Sequence, residues 1–225
     1  MSQAVIIGNG DFPRKEYPRL LLRQADVIVC CDGGFRSFMR NRKAVWGDSE
    51  KLPDAIVGDM DSLSGRLLHE YADLVKRVPS QDDNDQTKAV RYILDNHPEV
   101  DTIHILGATG KRECHTIGNL SLLMEYAGQF GMSGDPKEGE IFTDIVSDYS
   151  TAFAIADSCE LWVGEGRNVS IFSPDNSLQI RSQGLVWPTD DVRLDNWWKA
   201  TLNRASSDSI TLTFSHRSAA LVILD

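Results

Sequence analysis

Short apolar runs alternate with helical patterns along the first 130 residues of the chain. Four runs rich in β-branched residues predict buried strands, each followed by glycine or aspartate: Ala4–Ile7, Val27–Cys31, Ala55–Val57 and Thr102–Leu106. Four further stretches predict helices: Arg19–Gln24, Leu63–Tyr71, Asp85–Asn96 and Thr116–Phe130. This alternation indicates βαβ units, and therefore a mainly parallel sheet covered on both faces. In such a sheet the ligand site lies at the carboxyl ends of the strands.

The last predicted helix has an apolar face, because Ile117, Leu120, Met124 and Ala127 recur at three- and four-residue spacing. After the loop Gly131–Gly139 the pattern changes to short strand-like runs separated by turn signals: Ile141–Val146, Ala152–Ile155, Leu161–Val163, Val169–Phe172, Leu178–Ile180, Ile210–Phe214 and Leu221–Leu224. These runs predict a small antiparallel sandwich or barrel. The expected fold class is α/β: a mainly parallel αβα domain over 1–150, followed by a small β-sandwich over 151–225.

Composition narrows the class of ligand. The chain has 225 residues, and 23 Lys and Arg against 33 Asp and Glu give a net charge of −10. This charge disfavours nucleic-acid and membrane-surface binding, and an anionic substrate would need a divalent cation as mediator. The chain has no apolar run of about 18 residues, its start lacks a basic signal region, and its four cysteines show no C-x-x-C spacing. We therefore expect buried free thiols in a cytoplasmic protein.

Acidic residues gather where predicted strands end. Asp32-Gly33-Gly34 follows the second strand, and Gly58–Ser62 follows the third. On extended backbone Asp59 and Asp61 would point the same way and could hold one hard cation, although a solvated turn also explains them. A further cluster contains Asp82, Asp85 and Lys88 at a spacing of three residues. They would share a helix face, or the acids would simply favour a helix N-terminus.

A glycine-rich segment offers a site for an anion. Gly107–His115 leads from a predicted strand into a predicted helix, so its backbone N–H groups and the helix N-terminus could bind phosphate. Lys111 and Arg112 add positive charge, whereas His115 alone is more often structural. The P-loop pattern is absent, and Pro13 replaces the third glycine of the dinucleotide fingerprint that Gly8 and Gly10 begin.

In order and spacing, these motifs resemble those of the thiamine pyrophosphokinase (thiamine diphosphokinase) family. The resemblance rests on Gly58–Ser62, on the helix start with Asp82, Asp85 and Lys88, on Gly110–His115 with Asn119-Leu120, and on Gly184-Leu185-Val186-Trp187. It implies an α/β catalytic, ATP-binding domain, a thiamine-binding β-sandwich, and a homodimer. The implied reaction moves a pyrophosphoryl group from ATP to the thiamine hydroxyl and releases AMP, with Mg²⁺ as cofactor.

The resemblance also implies roles for individual residues. Catalysis falls to Asp32, Asp59, Asp61, Asp82, Asp85 and Arg112, and Mg²⁺ is held by Asp59, Asp61 and Asp85, with Asp82 beside them. Asp32 is the candidate that orients or deprotonates the thiamine hydroxyl. ATP contacts are implied for Gly33, Gly34, Lys88, Gly107, Thr109, Gly110, Lys111, Arg112, His115 and Asn119. Thiamine contacts are implied for Asp32, Gly184, Trp187 and Asn203, with Trp187 offering cation–π attraction.

The chain departs from the family pattern at two places. Cys114 stands where the family usually has Asp before the histidine, and a thiol cannot replace a carboxylate's charge. Ala200–Asn203 keeps only part of a second motif. The competing interpretations are a non-catalytic nucleotide- or thiamine-binding module and a related pyrophosphokinase or nucleotide hydrolase with another acceptor. Trp187 as a core residue of the β domain is the alternative to its thiamine contact.

Overall fold

A computed structural model describes residues 2–47 and 50–225. The described helices are α1 to α5, in chain order Glu16–Gln24, Asp32–Trp46, Gly65–Glu70, Asp85–Asn96 and Glu113–Gln129, with a 3₁₀ turn at Ala72–Leu74. The described strands β1 to β7 are Ser2–Ile7, Val27–Cys31, Ala55–Gly58, Val75–Arg77, Val100–Leu106, Met132–Ser133 and Ile141–Val146. Strands β8 to β14 are Thr151–Ile155, Cys159–Trp162, Asn168–Phe172, Ile180–Gln183, Asn203–Arg204, Ser209–Phe214 and Ala220–Leu224.

The chain divides into two compact units. The N-terminal unit runs through Asn119 and takes in Ile145–Asp148, and the C-terminal unit comprises Leu120–Asp144 and Tyr149–Asp225. Among the described residues, no helix combines the length and apolarity needed to cross a membrane. The assignment of separate roles to 1–150 and 151–225 stays a prediction.

A parallel sheet forms the centre of the N-terminal unit. Its strands lie in the order β5-β1-β2-β3-β4, and Ile6 of β1 pairs with Val29 of β2 and Ile105 of β5. Strands β2 and β3 are buried along their whole length, as expected for a parallel sheet covered on both faces. The predicted mainly parallel sheet is confirmed. Because these strands are parallel, the residues that follow β1, β2, β3 and β5 lie along one sheet edge.

Three helices differ from the sequence-based expectations. Helix α1 begins at Glu16, three residues before the predicted Arg19. Helix α2, which begins at Asp32 directly after β2, was not predicted, because its opening Asp-Gly-Gly is typical of a turn. Helix α5 begins three residues before the expected Thr116, and its predicted apolar face is only partly covered: Ala127 is buried, and Leu120 and Met124 are half-buried. The buried side chains of α5 also include Leu123 and Tyr126, while Ile117 is 50% exposed.

Two antiparallel sheets pack face to face in the C-terminal unit. One has the order β12-β10-β14-β8 and the other β11-β13-β9. Alternate residues of both sheets share one core, for example Val169 and Ile171 of β10 with Ile210 and Leu212 of β13. This period of two is the signature of strands with one face in a sandwich core, so the predicted small β-sandwich is confirmed.

Candidate active site

Asp32 lies at the carboxyl end of β2, as the first residue of α2, and its side chain is fully buried. Its Oδ2 accepts a hydrogen bond of 2.8 Å from the backbone N–H of Ser62. Its Oδ1 has no hydrogen-bond partner among the described residues. Burial raises the pKa of Asp32, the Ser62 N–H lowers it, and the carboxylates of Asp85, Asp61 and Asp59 raise it further. A buried, unpaired carboxylate oxygen is costly unless a cation or proton satisfies it.

The next two carboxylates follow β3. Met60 between them adopts a left-handed conformation with φ 71°, and its side chain is buried in the core beneath the sheet edge. The expectation of extended backbone at this point is therefore wrong, since a left-handed turn directs the Asp59 and Asp61 side chains. One oxygen from each of Asp32, Asp59 and Asp61 lies within 4.8 Å of the others. Three carboxylate oxygens at this separation are the ligands that a hard divalent cation prefers.

Gly58 allows a fourth carboxylate to approach. A Cβ on Gly58 would lie 2.8 Å from the Asp32 Cβ and 3.1 Å from the Asp85 Oδ1. Burial raises the pKa of Asp85, while Lys88 lowers it. The Lys88 side chain is buried, with its Nζ 3.5 Å from the Asp85 Oδ1. Lys88 thus supplies positive charge from inside the protein, next to four carboxylates that would otherwise repel one another.

The structure does not bring Asp82 into helix α4 with Asp85. Helix α4 begins at Asp85, capped by Asn84, whose Oδ1 accepts a 2.9 Å hydrogen bond from the Thr87 N–H. Asp82 lies exposed in the preceding loop, where its Oδ2 accepts a 2.8 Å hydrogen bond from the Ser80 hydroxyl. The shared helix face therefore does not form for Asp82. Metal ligation by Asp85, and the role of Asp82, remain predictions.

Sequence reasoning missed the role of Gln81 in this loop. Its Nε2 donates a 3.0 Å hydrogen bond to the Asp59 Oδ2 and lowers the pKa of that carboxyl. The Asp59 Oδ1 also accepts from the Asp61 N–H at 3.2 Å. Both carboxylate oxygens of Asp59 therefore accept hydrogen bonds, and each of these bonds lowers its pKa. No spacing in the sequence links Gln81 to Asp59, because they lie on loops after different strands.

A small cavity of about 130 Å³ lies beside the glycine loop that follows β5. It is lined by residues of the first loop, the glycine loop and the start of α5: Asn9, Gly10, Ala108, Thr109, Lys111, Arg112, His115, Thr116 and Asn119. Gly107 and Gly110 have positive φ values of 64° and 98°, which non-glycine residues seldom adopt. A Cβ on Gly110 would lie 2.5 Å from the Asp11 carboxylate. The positive φ values and the nearby basic side chains are compatible with the predicted anion loop, and phosphate binding there stays a prediction.

Asn9 connects the cavity with the start of α2. Its Oδ1 accepts a 3.1 Å hydrogen bond from the Lys111 Nζ. On its other side, a Cβ on Gly33 would lie 2.2 Å from the Asn9 Nδ2, and a Cβ on Gly34 would lie 2.1 Å from the Ile7 carbonyl oxygen. Gly33 and Gly34 therefore permit close packing of α2 against the first loop. In the sequence, the only sign of this role of Asn9 is its position between Gly8 and Gly10, the two glycines of the incomplete dinucleotide fingerprint.

Of the substrate residues expected in the C-terminal unit, Trp187 and Asn203 line a different cavity of about 170 Å³, whereas Gly184 is not among its lining residues. Asn203 is buried, and its side chain holds the backbone of Trp187: the Nδ2 donates to the Trp187 carbonyl at 2.6 Å, and the Oδ1 accepts from the Trp187 N–H at 3.2 Å. The Trp187 ring is 57% exposed, so its interpretation as a core residue is wrong. Gly184 has a φ of 79°, and a Cβ on Gly184 would lie 2.5 Å from the Ser209 carbonyl oxygen.

The expected family contacts at the start of α5 are exposed. Arg112, Cys114 and His115 all lie on its first turn or just before it, and the Arg112 Nη2 is 4.0 Å from the Cys114 Sγ. Cys30, Cys31, Cys114 and Cys159 are free thiols, of which Cys30 and Cys31 are buried. Burial of Cys114 was expected from the default behaviour of free cysteine, and for this residue it is wrong.

Comparison with known proteins matches both units to one family. The model described as thiamin pyrophosphokinase, catalytic domain, matches residues 18–132, and the model described as thiamin pyrophosphokinase, substrate-binding domain, matches residues 151–222. Thiamine pyrophosphokinase 1 of rice is 32% identical over 139 residues, which are 55% of this chain and 52% of the rice protein. Thiamine pyrophosphokinase 1 of Arabidopsis thaliana is 33% identical over 138 residues, 55% of this chain and 51% of that protein. The matched region thus spans about half the length of these curated relatives.

A solved structure extends the comparison over the whole fold. The crystal structure of thiamine pyrophosphokinase from Bacillus subtilis superposes with a TM-score of 0.73 at 17% identity, covering 100% of this chain and 99% of that one. This likeness in fold covers both units of the chain. With more than half of its length matched by the family's models, the chain belongs to the thiamin pyrophosphokinase family.

Proposed function

We propose that this protein transfers a pyrophosphoryl group from ATP to the hydroxyl of thiamine, giving thiamine diphosphate and AMP. Membership of the family supports the reaction. The observation that carries the proposal is the buried, unpaired Oδ1 of Asp32, which lies among converging carboxylates beside a basic, glycine-lined cavity. A cation site next to a phosphate site is the arrangement that metal-dependent nucleotide chemistry needs.

The donor set fits Mg²⁺, since all of its members are carboxylate oxygens and one of them lacks a partner. Asp59, Asp61 and Asp85 would hold the ion, with Asp32 beside them. When bound there, Mg²⁺ would neutralise charge on the phosphate oxygens of ATP. Gln81 donates to the Asp59 carboxylate and lowers its pKa. The positive charge of the buried Lys88 offsets part of the negative charge of the carboxylate cluster.

Residues around the cavity would bind the phosphates. The N–H groups at the start of α5 and in the Gly107–Gly110 loop offer hydrogen bonds, and Lys111, Arg112 and His115 surround the same space. Arg112 would stabilise the negative charge that develops on the transferring group. The thiamine oxygen would bond to the β-phosphorus as the bond from that phosphorus to the AMP oxygen breaks. Asp32, whose pKa burial raises, suits the role of accepting the hydroxyl proton.

We assign thiamine binding to the C-terminal unit and ATP binding to the N-terminal unit, with the functional boundary near residue 150. Thiamine is a cationic aromatic molecule, and the exposed ring of Trp187 offers a face for cation–π attraction. Asn203 would act by holding the Trp187 backbone, because both ends of its amide are used for that purpose. A homodimer and a cytoplasmic location are part of this proposal, and free thiols support the latter.

One incubation separates the proposal from its competitors. The protein is mixed with ATP, Mg²⁺ and thiamine, and the products are resolved by chromatography. Formation of AMP and thiamine diphosphate in equal amounts is the expected result, and it should vanish when EDTA removes the metal. ADP or free pyrophosphate without thiamine diphosphate would indicate a hydrolase or another acceptor. Nucleotide binding without turnover would indicate a binding module.

A further inference from the structure

Asn119 joins the glycine loop to the start of helix α4. Its Nδ2 donates a 2.7 Å hydrogen bond to the carbonyl oxygen of Ala108, in the loop that lines the cavity. Its Oδ1 accepts a 3.0 Å hydrogen bond from the Nδ2 of Asn84. Its backbone carbonyl accepts a 3.2 Å hydrogen bond from the Gln86 Nε2. One residue therefore contacts both the phosphate side and the carboxylate side of the candidate site.

The contact with Asn84 reaches the cation site through the helix cap. Asn84 caps α4 with its Oδ1, which leaves its Nδ2 free to donate to Asn119. The residue after the cap is Asp85, whose carboxylate lies beside Gly58 and Lys88. A shift of the α4 N-terminus would therefore move Asp85 away from the other carboxylates. The chain of contacts runs from the Ala108 carbonyl through two asparagine side chains to the Asp85 backbone.

We propose that Asn119 is a positioning residue that aligns the carboxylates with the nucleotide cavity. It does so by holding the α4 cap against the glycine loop; this rests on the proposed function. The resemblance to the family implied a direct contact between Asn119 and ATP. Both ends of the Asn119 amide instead form hydrogen bonds with protein groups, so the side chain holds the α4 cap and the glycine loop in position. A group that fixes the geometry between metal and phosphate affects nucleotide binding and kcat together.

A double-mutant cycle tests the contact between the two asparagines. Asn84→Ser keeps an N-cap oxygen of similar capping strength but removes the amide donor to Asn119. Asn119→Ala removes the acceptor, and the double variant removes both. The first readout is the Kd of α,β-methylene-ATP with Mg²⁺, measured by calorimetry, so the test does not depend on turnover. The second is kcat and the KM for thiamine. Asn96→Ala is the matched control, because its Nδ2 donates to the Tyr92 carbonyl at 2.9 Å at the other end of α4.

Each single variant should weaken nucleotide binding by about 10-fold, the lower end of the range for residues that support metal ligands. The double variant should bind no more weakly than Asn119→Ala, because Asn119→Ala already removes the contact that Asn84→Ser removes, together with the bond to Ala108. We expect kcat to fall in parallel, the KM for thiamine to stay within about twofold, and the control to match the wild type. Independent effects that multiply to about 100-fold, or an unchanged Kd in Asn84→Ser, would overturn the proposal. A wild-type chain that binds no nucleotide would overturn the proposed function as well.

Discussion

The buried carboxylate of Asp32, a residue of the candidate site, lowers the stability of the folded protein. Its carboxylate is buried beside three other acids, so the ionised form is disfavoured and its pKa is raised. A raised pKa means that the folded chain binds the proton more tightly than the unfolded chain. The contribution of this proton to the free energy of unfolding is fully present below the unfolded pKa of about 3.9. It is lost as the pH rises through the pKa of Asp32 in the folded protein. At neutral pH without metal, Asp32 therefore destabilises the protein.

Asp32→Asn should raise the melting temperature of the metal-free protein at pH 7 by about 2–4 °C, the shift that about 1 kcal/mol produces in a chain of this size. The asparagine oxygen can still accept from the Ser62 N–H, and its amide can donate to the neighbouring carboxylates. Calorimetry over a pH series measures the effect, which should shrink as the pH falls through the raised folded pKa of Asp32 and should be absent below about 4. Turnover should be lost in the same variant. A melting temperature equal to or below that of the wild type would contradict this explanation.

Asp59 provides the corresponding test for the metal. Asp59→Asn should reduce thiamine diphosphate formation by more than about 100-fold, because Asp59 is proposed to bind the metal directly. Residues that only support a metal ligand typically cost about 10–100-fold. The fold should be intact, because Asp59 lies at the sheet edge and not in the core. The matched control is Asp101→Asn, an exposed acid near the opposite end of β5, which should behave as the wild type. Near-normal turnover by a folded Asp59→Asn protein would remove Asp59 from the mechanism.

Cys114 is the position at which the chain departs from its family. The thiol is exposed on the first turn of α5, so it does not fill an apolar gap in the protein. A carboxylate there would lie near the helix N-terminus and the Arg112 guanidinium, both of which favour negative charge. Cys114→Asp should raise kcat/KM by about 10–100-fold, the range for a residue that orients site groups, with no loss of thermal stability. A variant that is no more active would show that the departure has no catalytic cost.

Among the elements, strands were easier to predict than the helix that opens the site. Apolar runs such as Val27–Cys31 identify buried strands, and the parallel arrangement then places Asp32, Asp59 and Gly107 at one edge. Helix α2 was missed because local propensity assigns Asp-Gly-Gly to a turn. Its glycines are required because Asn9 and Ile7 pack closely against them in the folded protein, and no local sequence pattern reveals such a contact. The same limit hid Gln81, whose partner lies on another loop.

Helix α2 can be tested through its second glycine. Gly34→Ala should destabilise the protein by about 1–3 kcal/mol, because the new Cβ would lie 2.1 Å from the Ile7 carbonyl oxygen, on backbone that cannot move aside. Urea unfolding measures the change. Gly128→Ala in α5 is the matched control, since nothing lies within 4 Å of its Cβ position. There the helix should gain about 0.5–1 kcal/mol. Equal effects of the two substitutions would contradict the packing argument.

The whole molecule combines an acidic surface with exposed aromatic side chains. The net charge of −10 favours solubility and a cationic substrate, and it leaves phosphate binding dependent on local positive groups such as Lys111 and Arg112. In the C-terminal unit several large apolar side chains are more than half exposed: Tyr149, Trp162, Trp187, Trp197, Trp198 and Leu202. Aromatic residues are enriched in protein interfaces, because each can bury roughly 150–250 Å². This exposure supports assembly into a dimer.

The protein should therefore sediment as a dimer of about 50 kDa, twice the chain mass of 25.1 kDa, at assay concentrations. Burying even 150 Å² of aromatic surface on each chain would contribute about 4 kcal/mol per chain at ~25 cal/mol per Å², before the cost of association. The resemblance to the family implies that thiamine binds near the subunit interface, so specific activity should fall on dilution through the dissociation range. Sedimentation velocity and the dilution assay use the same samples. A monomer that keeps its full specific activity at assay concentration would contradict both the assembly and the shared site.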